Sequence, residues 1–119
     1  MTPPLAGLRV IDQTQALAGP YCAMMLGDLG ADVIKIERPG SGDQSRTWGP
    51  PFVGTESTYY LAVNRNKRGI TLNITAAAGR EILYRLVDSA DVFMTNIATV
   101  ASLKKYGLDY DTLRERNPR

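Results

Sequence analysis

Between residues 8 and 37 the chain alternates apolar and amphipathic stretches in an order that few folds accept. Leu8–Asp12 is a short apolar run ending in a polar turn, the pattern of a buried strand. Ala18-Gly19-Pro20 then breaks the run, and Pro20 suits the first turn of a helix, where its missing N–H would be unpaired anyway. Tyr21, Met24, Met25 and Leu29, with Cys22 and Leu26, recur at three- and four-residue spacing and predict a helix over 20–29 with a broad apolar stripe. On that stripe Cys22 is expected as a buried thiol, and Met24 and Met25 as core filler. Gly30 stops the helix, and Asp32–Glu37 follows as a second strand. Strand, helix and strand within about thirty residues make a βαβ unit.

The pattern recurs. Ile70–Ile74 predicts a third strand, Thr75 a cap, and Ala76–Asp88 a helix whose Ile82, Leu83, Leu86 and Val87 face one way. Glu81 and Arg85 fall on its other side as an i,i+4 pair. Asp91–Thr95 predicts a fourth strand, followed by a short helix over about 99–105 that ends before Gly107. A last helical turn, Asp111–Arg116, runs to Asn117-Pro118. Strands that are apolar throughout rather than alternating imply a parallel sheet covered by helices on both faces, so the fold class is α/β.

Residues 38–69 form a long connection, and a long loop after a parallel strand is where open α/β sheets place ligands. Arg38-Pro39-Gly40-Ser41-Gly42-Asp43 is irregular, whereas Ser57–Val63 reads as one or two helical turns. Trp48 is open between anchoring this loop and walling a pocket. Arg38, directly after a strand, could fork onto a phosphate or lie along a purine. The alternative for it is a surface pair with Glu37 or Asp43. Asp12 is open between a turn residue, a ligand contact and no role, and Asp28 and Asp32 read as polarity around Gly30.

Composition removes most other chemistry. The 119 residues contain no His, which excludes a Ser-His-Asp triad, a Cys-His dyad and His metal ligands within the chain. One Cys excludes an intrachain disulfide and a CxxC zinc site. Fourteen basic against twelve acidic residues leave +2, too balanced to suggest nucleic-acid or membrane binding. The second half, with ten basic and six acidic residues, carries Arg65, Lys67 and Arg68 close together, a solvated face or an anion site. Gly40-x-Gly42 lacks the third Gly of a dinucleotide fingerprint, and no P-loop exists. The N-terminus lacks the basic and apolar regions of a secretory signal, and no run is long enough to span a bilayer, so a cytoplasmic location is expected.

The strings themselves add a resemblance. Pro4-Leu5, Gly7-Leu8, Val10-Ile11-Asp12, Leu17-Ala18-Gly19-Pro20 and Leu26-Gly27-Asp28-Leu29-Gly30-Ala31-Asp32-Val33-Ile34-Lys35-Ile36-Glu37-Arg38-Pro39-Gly40 closely resemble the opening of the family III CoA-transferases. Gly42-Asp43, Thr47–Phe52, Asn64–Arg68, Ala90-Asp91-Val92, Asn96, Tyr106-Gly107-Leu108 and Asn117-Pro118-Arg119 continue the match over essentially the whole chain. The family's α-methylacyl-CoA racemases share the first part of this pattern, but 48–52 and 64–68 are transferase-like. The run Trp48–Tyr60 looks especially like transferases that use succinyl-CoA and dicarboxylic acids.

The resemblance implies a Rossmann-like domain that binds coenzyme A, in a homodimer whose chains interlock like links when full length. It assigns the nucleotide end of CoA to Ala16, Leu17 and Ala18, to Arg38, to Leu72 and Thr75 after the third strand, and to Asn96 and Ile97 after the fourth. A basic residue before Tyr106-Gly107 completes the set, either Lys104 or Lys105; an arginine is usual there, and lysine keeps the charge without the planar fork. The usual Asn-Phe-Arg-Pro-Gly motif is replaced here by Asn96-Ile97-Ala98-Thr99-Val100. The reaction implied moves CoA from an acyl-CoA to a carboxylic acid through an aspartyl-CoA thioester. Nothing in 1–119 matches the nucleophile's motif, so the chain is expected to be the N-terminal part of the CoA-binding domain, with no catalytic residue and no metal of its own. A racemase-type isomerase and a non-catalytic CoA-binding module are the alternatives.

Overall fold

The computed structural model describes residues 1–119 and arranges them as β1 (Arg9–Gln13), α1 (Ala18–Asp28), β2 (Asp32–Glu37), β3 (Phe52–Val53), β4 (Glu56–Ser57), α2 (Thr58–Val63), β5 (Lys67–Thr71), α3 (Ala77–Asp88), β6 (Val92–Thr95), α4 (Val100–Tyr106) and α5 (Tyr110–Arg116). Four strands pair in parallel in the order β5-β2-β1-β6. The chain therefore builds outward from β1 through β2 to β5, then returns to the other side of β1 as β6. That reversal opens a crevice at the carboxyl ends of β1 and β6, where doubly wound sheets bind their ligands.

Adjacent strand residues point to opposite faces, and the two faces differ. Ile11, Ile34 and Ile36 pack with Leu72, Leu83, Val87, Ala90 and Leu108 in the larger core, under α3, with Leu103 of α4 and Leu113 of α5 at its margin. On the α1 side only Val10, Ala23, Ala31 and Val33 form an apolar cluster. Further along that face stand Asp12, Lys35 and Lys67, each on a different strand. The strands are thus apolar toward one layer of helices and partly charged toward the other. No helix is long and apolar enough to cross a membrane.

Several expectations shift. The third strand is Lys67–Thr71 rather than 70–74, because its pairing with β2 starts at Val33 opposite Lys67. Leu72, its N–H still on the Glu37 carbonyl at 2.9 Å, follows the last paired residue and lies buried in the larger core. Thr75 does not cap α3. Ala76 occupies the cap position without a side-chain bond, and Thr75 instead donates its hydroxyl and N–H to Asn73 Oδ1 at 2.6 and 3.1 Å. Cys22 is exposed rather than buried, and Met25 is 48% exposed while Met24 is core. The cause is close docking: α1 buries only Pro20, Ala23 and Met24. A Cβ on Gly19 would overlap the Thr14 side chain, so the helix start sits hard against the β1 exit and most of its stripe faces outward.

The long connection is ordered. Gln44–Thr47 makes one 3-10 turn capped by Asp43, β3 and β4 form a small hairpin, and Ser57 caps α2 by accepting from the Tyr60 N–H. Trp48 anchors within it, meeting Tyr59 edge-on at 4.9 Å between ring centres.

Candidate functional site

Two buried ion pairs shape the carboxyl edge of the sheet. Lys67 Nζ donates to Asp12 Oδ2, the Pro20 carbonyl and Asn64 Oδ1, each at 2.9 Å. Asp12 Oδ1 in turn accepts from the Thr14 N–H at 3.0 Å and from the Thr14 hydroxyl. Lys35 Nζ donates to Asp43 Oδ2 and to the Thr14 carbonyl, both at 2.9 Å. Asp43 Oδ1 accepts from the N–H of Ala16 at 3.2 Å and from the N–H and hydroxyl of Ser45 at 2.9 and 2.8 Å. All four charged side chains are at most 2% exposed. Charges so buried persist because each is paired and further hydrogen-bonded.

A third cluster lies beside them. Glu37 accepts both guanidinium bonds of Arg46 at 2.8 and 2.7 Å, the Asp43 N–H at 2.7 Å and the Tyr60 hydroxyl at 3.2 Å. Arg46 stacks over the Tyr60 ring at 3.9 Å. Burial pushes the carboxyls of Glu37 and Asp43 up, but Arg46 on one and Lys35 on the other outweigh it and hold both below the usual range. Burial draws the Lys67 ammonium below its ordinary value despite Asp12, and pushes the Tyr60 hydroxyl well up.

These contacts decide what each candidate does. Arg38 has no carboxylate partner, since Arg46 occupies Glu37 and Lys35 occupies Asp43; its Nε reaches only the Gly42 carbonyl at 3.2 Å. Its exposed guanidinium stands beside Leu72 at a small cleft of about 40 Å³, together with Gln13, Gln15 and Ile74. Ala16, Leu17 and Ala18 form the turn into α1, whose N-terminus carries no side-chain cap. Asn96 spends its amide on this turn, accepting from the Gln15 N–H at 3.2 Å and donating to the Gln15 carbonyl at 2.8 Å. Ile97 follows it, with its N–H on Thr95 Oγ1 at 3.2 Å. The exits of β1 and β6 are therefore joined across the crevice.

Lys104 and Lys105, both exposed and without ion-pair partners, occupy the last turn of α4. Tyr84 donates to the Gly107 carbonyl at 2.9 Å, and a Cβ on Gly107 would stand 3.9 Å from Arg80 Cδ. Arg80 donates to the carbonyls of Ile74 and Thr75 at 3.4 and 3.3 Å. This series of contacts brings the lysine end of α4 toward the β5 exit. None of the assigned residues lines the larger cavity, an apolar groove of about 490 Å³ between β6 and α5.

Sequence reasoning missed Lys35, Asp43, Gln15 and Arg80. A lysine flanked by Val33, Ile34 and Ile36 in the middle of a strand was a usable signal, because it demands a buried partner. The run Arg65, Lys67 and Arg68 divides between surface and interior. Arg65 pairs with Asp28 and Arg68 with Asp32 at the surface, while Lys67 is interior. Glu81 and Arg85 form no ion pair, and Arg85 stays free at the surface.

A family model described as CoA-transferase family III matches residues 5–119. Human succinyl-CoA:glutarate CoA-transferase is 54% identical over 97% of the chain, which covers 26% of that protein. Succinate–glutarate CoA-transferase of Agrobacterium fabrum is 47% identical over 98% of the chain and 30% of its own length. Among solved structures, a CAIB/BAIF family protein from Brucella suis superimposes with a TM-score of 0.91 at 46% identity, over 98% of this chain and 32% of that one. The chain thus spans between a quarter and a third of these relatives.

Proposed function

Because the chain belongs to CoA-transferase family III, we propose that residues 1–119 form the nucleotide-binding part of an enzyme that moves CoA from an acyl-CoA to a carboxylic acid. The observation that carries this reading is Arg38, a guanidinium without a carboxylate partner at the ligand end of the sheet. An anion at this edge also meets the uncapped N-terminus of α1, whose dipole and free N–H groups favour phosphate. Lys104 and Lys105 add positive charge from α4, and Leu72 supplies apolar surface beside Arg38. The cleft is too small to enclose a nucleotide, so CoA lies along the edge, across Ala16–Ala18, Arg38, Leu72, Thr75, Asn96 and Ile97.

The same geometry supports a binding rather than a nucleophilic role for this part. Asp12, Glu37 and Asp43 are the carboxylates at the edge, and each is tied to a cation. None is left as a free carboxylate, which supports a binding role. The aspartate that would carry the acyl group and then CoA belongs, on this reading, to the remainder of the enzyme. The names of the relatives support transfer over isomerisation, and succinyl-CoA with a dicarboxylic acid as the substrate pair. Homodimerisation belongs to the same reading; the open apolar row Tyr21, Met25 and Leu29 on α1 supports a partner surface, and light scattering of the whole protein tests it.

Incubating the whole enzyme with succinyl-CoA and glutarate, then detecting glutaryl-CoA by mass spectrometry, tests the activity. Calorimetric titration of CoA tests the site. Arg38→Ala is expected to weaken binding by about 1–3 kcal/mol, the range for a charged hydrogen-bonding group. Neutralising Lys104 and Lys105 together should also weaken it, and both losses should shrink at high salt. Arg85→Ala, on the exposed side of α3, should bind CoA like the parent. An Arg38→Ala protein that folds and binds CoA normally would move the nucleotide site elsewhere.

A further inference from the structure

The turn from β1 to α1 contains a left-handed residue that is not glycine. Ala16 has φ 70°, a region that residues with a Cβ rarely adopt. Its N–H ends on Asp43 Oδ1, and Asp43 Oδ2 is held by Lys35, which also donates to the carbonyl of Thr14. One buried pair thus grips the turn at residues 14 and 16, on either side of Gln15. Asp43 and Lys35 are each 1% exposed, so neither can touch a ligand itself. Leu17 and Ala18, the next residues, are exposed at the crevice. The pair also joins this turn to the Arg38 loop, because the Asp43 N–H is bonded to Glu37 and Arg38 Nε to Gly42.

We propose that the Lys35–Asp43 ion pair is a positioning device for CoA: it holds Ala16 left-handed and so sets the path of Ala16–Ala18 against the nucleotide. This rests on the reading that CoA lies along this edge. A merely structural ion pair would contribute to stability alone; a positioning pair also determines affinity through the conformation of one residue.

Asp43→Asn separates the two. Asp43 faces donors on both sides, Lys35 on one and the N–H groups of Ala16 and Ser45 on the other, whereas an amide offers an acceptor to only one of them. Glycine at 16 adopts positive φ at no steric cost. CoA is titrated calorimetrically into the parent protein, Asp43→Asn, Ala16→Gly and the double variant, with a thermal melt of each. Asp43→Asn is expected to bind about tenfold more weakly than the parent, a coupling of ordinary size between linked sites, and Ala16→Gly is the reference against which the double variant is read. The double variant should regain most of the affinity that Asp43→Asn loses while melting below Ala16→Gly, because glycine restores the turn and not the ion pair. Rescue of binding while the melt stays below that of Ala16→Gly supports the proposal. A folded Asp43→Asn with parental affinity overturns it, as does a double variant that binds no better than Asp43→Asn. Should Asp43→Asn not fold, Lys35→Met with Asp43→Asn, which strands no charge, is compared with and without Ala16→Gly on the same two readouts. If Arg38→Ala loses affinity and Asp43→Asn keeps it, this inference fails and the proposed site stands. If the parent does not bind CoA, the reading of the site fails and takes the inference with it.

Discussion

Lys67 shows how one residue's role is decided by partners far away in the chain. It sits two residues from Arg65 in a basic run, yet its ammonium is enclosed by Asp12, Asn64 and the Pro20 carbonyl. Lys67→Met should cost about 3–5 kcal/mol in urea melts, because Asp12 is left as a buried, unpaired charge. Adding Asp12→Asn should recover part of that loss, since the stranded charge goes with it. Gly79 supplies a second test at this scale. In an exposed helix, Gly→Ala gains about 1 kcal/mol from propensity. Here a Cβ would fall on the Asn73 carbonyl, so Gly79→Ala should destabilise the fold instead. The first-turn position of Gly79 is readable from sequence, but the approach of Asn73 is not, because it depends on how the chain folds back before α3.

At the scale of elements, caps distinguish two helices that read alike. Thr75 and Thr99 each precede a helix, and only Thr99 caps one, accepting from the Ser102 N–H at 3.1 Å. Thr99→Ala should cost α4 about 1 kcal/mol and speed amide exchange across 100–106. Thr75→Ala should leave amide exchange in α3 unchanged, because Ala76 holds the cap position and the Thr75 side chain bonds only to Asn73, while the Thr75 carbonyl that meets Arg80 survives the substitution. The helices and the four strands of the parallel sheet were legible to within a few residues, whereas the β3–β4 hairpin inside the long connection was not. Their periodicity is a local property, carried by neighbours such as Leu83, Leu86 and Val87, although Ile82, expected on the same face, is 41% exposed. Boundaries were less so. Strand β5 begins at Lys67 because β2 offers a ladder there, and a ladder belongs to two segments at once.

Across the whole molecule, acid is the condition that acts on the edge as a unit. Glu37 and Asp43 have folded pKa values below the ordinary carboxylate range. As pH falls, the unfolded chain takes up these protons first, so stability declines once pH drops below about 4.5 and continues to fall through the lower, folded values. Melting temperature should therefore be flat from about pH 7 to 5 and drop below that. Lys35→Met with Asp43→Asn should shallow the drop, because one of the two carboxylates is gone. A profile as steep as the parent's would mean that other groups carry the acid response. The sequence alone determined the α/β class, the order of the sheet strands and the main helices, the family and the placement of Arg38 and Asn96 after strands, because period, punctuation and motif are written in contiguous residues. Only the tertiary structure decided that the strand order reverses at β1, that Asn96 serves Gln15, that Cys22 is exposed and that Ala16 is held left-handed by Asp43. Those outcomes depend on contacts between segments 27 to 81 residues apart, and on how closely a helix docks against its sheet. A single stretch of chain contains no record of either.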